Sequence, residues 1–171
     1  MRFPWHTPRP SRVILAGLLM LSTAIPTRAD AGTATTTLGV TITITAGCTV
    51  SATPVAFPTQ AVLSGPTVAN GSLSVVCTNT TPYNVGLDKG AGTGATITAR
   101  KMTGPASALI TYALYQNAGL TTNFGNTVGT DTIPGMGSGV AQAITVYGQV
   151  PAQSSPAPGS YADTVNVTIT F

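Results

Sequence analysis

Residues 38–45 read LGVTITIT, and this stretch decides how the chain is understood. Leu38, Val40, Ile42 and Ile44 alternate with Gly39, Thr41, Thr43 and Thr45. Successive side chains of a strand point to opposite faces, so the four large residues share one face of an extended segment. Ala46 and Gly47 follow, and then Cys48. The far end of the chain repeats the pattern. Val165, Val167, Ile169 and Phe171 alternate with Thr164, Asn166, Thr168 and Thr170, leaving no residue for another strand.

Between these ends lie further short strand patterns. Val50–Phe57 is interrupted by Pro54 and stopped by Pro58. Leu73, Val75 and Cys77 alternate with smaller residues, and Tyr83, Val85 and Leu87 repeat the period. Ile97–Met102, with Arg100 and Lys101 at its edge, is a further candidate, as are Ile110–Leu114 and Ala143–Val150. Gly65-Pro66, Asn70-Gly71 and Asp88-Lys89-Gly90 read as turns, and Pro151–Ser160 as a loop. Many short strands with turns between them predict an all-β, immunoglobulin-like sandwich. Composition agrees: 31 of 171 residues are threonine and only 6% are charged, which disfavours helices. The length suits one domain with a core.

The first thirty residues read as an address. Arg2, Arg9 and Arg12 precede the apolar run Val13–Ile25, then Pro26 and small residues at Ala29 and Ala31. A basic start, a short apolar run and a small-residue site form a secretory signal peptide, with cleavage after Ala29 or Ala31. The run is shorter than the ~20 residues a helix needs to span a bilayer. Cleavage removes Arg2, Arg9, Arg12 and Arg28. Lys89, Arg100 and Lys101 then face Asp88, Asp131, Asp163 and, depending on the cut, Asp30. The mature chain is nearly neutral, so the sequence pI near 9.1 belongs to the signal and implies no nucleic-acid partner. No membrane span is expected in the mature chain.

The same cut removes His6, the only histidine, and the sequence has no glutamate. The usual general base and the commonest metal ligand are absent, so no enzyme, cofactor or metal site is expected. The glycine-rich 91–94 turn lacks the context of a phosphate loop. Cys48 and Cys77 are the only cysteines, and in a secreted chain they are expected to pair. A detached alternating strand would offer open backbone groups and a row of aliphatic side chains to another chain. Periodicity alone fits this arm and an ordinary first strand equally.

The residues from Thr36 to Phe171 resemble the spore coat protein U family, which includes pilins of archaic (Csu-type) chaperone–usher pili. The resemblance rests on Gly47-Cys48-Thr49-Val50, Leu73-Ser74-Val75-Val76-Cys77, Tyr112-Ala113-Leu114-Tyr115 and Phe124-Gly125-Asn126. Val146-Tyr147-Gly148-Gln149-Val150-Pro151 and Gly159–Val165 complete it, in order. The chain departs at Phe124, Asn117 and Gln149, where the family pattern has tryptophan, an acid and often a basic residue.

That resemblance implies an incomplete immunoglobulin-like sandwich lacking its last strand. It divides the chain into a signal peptide (1–29), a donor-strand arm (30–46) and a pilin domain (47–171). Leu38, Val40, Ile42 and Ile44 would insert into a neighbour's groove. Val165, Val167, Ile169 and Phe171 would wall the groove and meet the chaperone, with the Phe171 carboxylate as its anchor. Implied partners are identical or related pilin subunits, a periplasmic chaperone and an outer-membrane usher. The product would be a surface fibre, secreted through the periplasm and serving adhesion or biofilm. A spore or cell-coat protein, or a monomeric carbohydrate-binding sandwich, is the alternative.

Overall fold

A computed structural model describes Arg28 and residues 30–171; the rest of the signal segment lies outside the described residues. The chain divides into residues 1–41 and residues 42–171. The described part of the first unit has no regular secondary structure. The second unit carries eight strands and, among the described residues, no α-helix.

The strands are β1 (Cys48–Thr53), β2 (Thr67–Cys77), β3 (Pro82–Leu87), β4 (Arg100–Thr103), β5 (Leu109–Tyr115), β6 (Ile133–Met136), β7 (Gln142–Val150) and β8 (Val167–Thr170). Five form an antiparallel sheet in the order β1-β2-β7-β5-β4, and three a second in the order β6-β3-β8. The architecture is the expected all-β sandwich. Its core sits between the sheets and is built by the period-two residues: Leu73, Val75 and Cys77 on β2, Tyr83, Val85 and Leu87 on β3, Val146 and Val150 on β7. Phe124, in the loop after β5, is completely buried among them.

Two readings need correction. Asn70-Gly71 is not a turn: β2 runs through it, paired to Tyr147 and Val146 of β7. The glycine serves packing instead. After Pro54 ends the ladder, which it cannot join for want of an N–H, the chain crosses the inner faces of β2 and β7. A Cβ on Gly71 would lie 2.7 Å from the Thr53 carbonyl oxygen, and one on Gly148 would lie 2.6 Å from Val55. Both glycines therefore leave room for residues 53–57, and Phe57 meets Tyr112 edge-on at 6.4 Å. Second, Ile133–Met136 was not expected to be a strand. Leu38–Thr45, despite its alternating pattern, belongs to no strand.

Cys48 and Cys77 are directly opposite on β1 and β2 and form a disulfide, with Cα atoms 4.1 Å apart. The preceding pair, Gly47 and Thr78, is joined by a backbone hydrogen bond of 2.9 Å. Antiparallel pairs alternate, so Cys48–Cys77 occupies a non-hydrogen-bonded position, where side chains come closest. The oxidised chain should weigh two protons less than its reduced form by mass spectrometry. Replacing both cysteines by serine should cost about 2–5 kcal/mol in a urea melt, the usual loss for a small secreted domain.

Candidate functional site

The two sheets leave four outer edges, and they differ. β4 is closed by reciprocal hydrogen bonds between Thr103 and Ala162, at 2.8 and 3.1 Å. β6 contains Pro134, which offers no N–H to a further strand. β1 and β8 contain neither proline nor charge and, among the described residues, are paired on one side only. These two open edges approach each other.

Their free backbone groups can be assigned. Asn166 O accepts from Asp88 N at 3.1 Å, so residues 166, 168 and 170 turn their backbone toward β3. By alternation, Val165, Val167 and Ile169 turn theirs to the open edge. On β1 the Gly47–Thr78 bond sets the same alternation, leaving Cys48, Val50 and Ala52 facing outward.

Between the edges lies an opening of about 430 Å³. Leu73, Leu87, Tyr112, Leu114 and Val146 form its floor, residues 52–55 one wall, and Val165 and Val167 the other. An adjoining cavity of about 670 Å³ lies under residues 57–63 and 155–161, sharing Met102 and Tyr161 with the first. Tyr161 donates its hydroxyl to Ala157 O at 2.7 Å. This is a tyrosine corner, which fixes the approach to the last strand by tying the ring to backbone just upstream.

A polar frame holds β8 in place. Asp88 Oδ1 accepts from the N–H groups of Gly90 (2.9 Å) and Asn166 (3.0 Å), and its Oδ2 from the Asn166 side chain (2.6 Å). Burial pushes the Asp88 pKa up, but the Asn166 and Gly90 bonds and the Arg100 charge outweigh it and hold the value below 3.8. Asp163 accepts from Ala91 N and from the Tyr112 hydroxyl, both at 2.8 Å. Burial first, then this bond and the Asp163 charge, raise the Tyr112 pKa.

Arg100, expected at a strand edge, is completely buried. Its guanidinium donates to the carbonyls of Asp88 (2.8 Å), Ile97 (2.8 Å), Leu87 (3.2 Å) and Phe124 (2.7 Å). Those four carbonyls end β3 and its neighbouring loops, which one fork-shaped donor satisfies together. Burial lowers its pKa.

Of the residues expected at a groove, Val165 and Val167 line the opening and Ile169 packs half-buried against the core. Phe171 does not line this opening: it lies past the last β3–β8 pair, Asn84–Thr170, and is 59% exposed. Leu38, Val40, Ile42 and Ile44 are 75–87% exposed. Among the described residues no three His, Cys, Asp or Glu side chains could share a metal ion. No helix there is long and apolar enough to cross a membrane.

The family model for the Spore Coat Protein U domain matches residues 34–168. The chain is 39% identical to Protein U of Myxococcus xanthus over 106 residues, 59% of this chain and 59% of that protein. It is also similar to the crystal structure of the CsuC–CsuE chaperone–tip adhesion subunit pre-assembly complex from archaic chaperone-usher Csu pili of Acinetobacter baumannii. The TM-score is 0.56 at 23% identity, over 75% of this chain and 40% of that one. The chain thus spans about three fifths or less of the length of either relative. Similarity to the second is one of fold, the pilin-type sandwich. With the disulfide, the edge-limited sandwich and the family match covering most of the sequence, the chain belongs to the Spore Coat Protein U domain family.

Proposed function

We propose that this chain is a structural subunit of a secreted surface fibre, polymerised by donor-strand exchange. The observation that supports it is a coincidence of supply and demand within one chain. Two open strand edges flank an apolar opening, and four alternating aliphatic side chains stand exposed elsewhere in the sequence. A strand carrying Leu38, Val40, Ile42 and Ile44 would add to the β8 edge through the outward groups of Val165, Val167 and Ile169. Its side chains would enter the opening above Leu73, Leu87 and Val146. In this scheme the backbone supplies affinity and the alternate side chains supply specificity.

Until the arm of a neighbour arrives, the opening exposes apolar surface and needs a substitute strand. A periplasmic chaperone fills that role, and an outer-membrane usher is the place of exchange. The signal segment, residues 1–29, delivers the chain to the periplasm, and the fibre serves adhesion or biofilm at the cell surface. Residues 30–46 act as the donor arm and residues 47–171 as the acceptor domain.

Gel electrophoresis of surface material, with and without boiling, tests the proposal. A ladder that collapses to the monomer on boiling is the expected result, since strand exchange is non-covalent. A single band in both lanes supports instead a monomeric coat or surface-binding protein.

A further inference from the structure

We propose that Thr78 holds the base of the arm in line with β1 and so prevents a chain from filling its own groove, leaving a second copy of this chain as the acceptor. This rests on the donor-strand reading above and concerns its regulation. To reach its own groove, the arm must reverse direction just before Cys48 and lie along the free edge of β1. A tight reversal needs a two-residue turn with positive φ, which glycine provides. Gly47 is the only glycine between Gly39 and Gly65, so it is the residue such a turn would use.

Thr78 engages Gly47 from both sides. Gly47 N–H donates to Thr78 Oγ1 at 3.1 Å, and Thr78 N–H donates to Gly47 O at 2.9 Å. The Thr78 hydroxyl lies 3.3 Å from the carbonyl oxygens of both Thr45 and Gly47, either of which can accept its proton. Gly47 is not among the positive-φ glycines. The β1–β2 ladder is therefore extended one residue past the disulfide, and the turn-forming glycine is committed to it. The remaining pair, Thr45-Ala46, is a poor turn, because a β-branched residue and alanine resist positive φ.

Refolding of the mature full-length chain under oxidising conditions, followed by size-exclusion chromatography, measures the ratio of folded monomer to polymer. Limited proteolysis reports whether residues 35–45 of the monomer are protected. Thr78→Val should raise the protected monomer about fivefold relative to polymer, the effect of one hydrogen bond. Adding Ala46→Asn, which puts an Asn-Gly turn before Cys48, should raise it further, and Thr78→Ser should match the wild type.

A wild-type ratio in the Thr78→Val and double variants overturns the proposal. Should Thr78→Val fail to fold, Ala46→Asn alone carries the test: position 46 is exposed, and an unchanged ratio there also overturns it. Deletion of residues 35–45 separates the two claims. If the deletion blocks polymer while Thr78→Val behaves as wild type, only the role of Thr78 falls. If the deletion polymerises normally, the donor-strand reading falls and this proposal with it.

Discussion

Deleting Thr35–Thr45 is expected to abolish polymer formation while leaving chaperone binding intact. The deletion removes all four exposed aliphatic residues of the arm, and it stops short of Gly47 and the disulfide. It leaves the acceptor side untouched, because the opening is lined by residues from 52 onward. Each buried aliphatic side chain contributes about 1.5–3 kcal/mol, an upper range because the free arm already hides part of its surface. Losing four such side chains, together with the ladder hydrogen bonds, exceeds what rim contacts could replace. A milder form places one charge in the row: Ile42→Asp should reduce polymer yield strongly, since an unpaired carboxylate cannot be buried without compensation. Native gels of surface extracts, with a chaperone pull-down beside them, report both halves of the expectation. Wild-type fibres from the deletion would refute the arm's role.

Arg100→Met is expected to give the largest loss of stability of any single substitution in the domain, about 4 kcal/mol. Hydrogen bonds to charged groups are worth about 1.5–3 kcal/mol each, and an unsatisfied buried carbonyl costs about 1–3 kcal/mol. Four carbonyls lose their donor at once, with water and relaxation recovering part. Methionine keeps much of the volume, so the effect reports polar satisfaction more than packing. Two of the carbonyls, those of Leu87 and Asp88, belong to the floor of the opening and to the anchor of β8. The variant should therefore bind its chaperone poorly as well. Lys101→Met, next in sequence, loses one 3.2 Å bond to Thr111 and should change stability by less than about 1 kcal/mol. Urea melts of the strand-complemented subunit compare the two. Equal stability in both would show that the guanidinium is dispensable.

The contrast between these residues explains what was legible in the sequence. Period-two alternation marked β2, β3 and β8 because each buries one face, and one-sided burial is what alternation encodes. Tyr161 stands just before the last strand, and its hydroxyl bond to Ala157 O makes it a tyrosine corner. Arg100 could not be distinguished from Lys101 as a strand-edge charge. What buries it is a convergence of carbonyls from residues 87, 88, 97 and 124, which only the tertiary fold assembles.

Asn70-Gly71 carried the strongest turn signal and was misread, because a glycine that makes room for a crossing chain looks the same as one that makes a turn. β6 was missed because Pro134 and Gly135 are poor strand formers. The proline suits an edge, and the glycine packs beneath the ring of Tyr83. The alternation of residues 38–45 fits an arm and an ordinary first strand equally, and only the fold separates them. The pattern calls for a strand and the chain forms none. A segment patterned to be buried on one face, yet left exposed, is the sequence counterpart of an open sheet edge.

Disulfide trapping in the assembled fibre tests the account most directly. Single cysteines replace Leu38, Val40, Ile42 or Ile44 in turn, each combined with Val167→Cys in the groove wall. Surface material is oxidised and run without reductant after boiling. At least one arm position should give a ladder of covalently linked subunits that collapses on reduction, while Thr145→Cys on the outer face of β7 gives none. A groove cysteine that never links to any arm position, in fibres that still assemble, would contradict the claim that one subunit's arm completes the sandwich of the next.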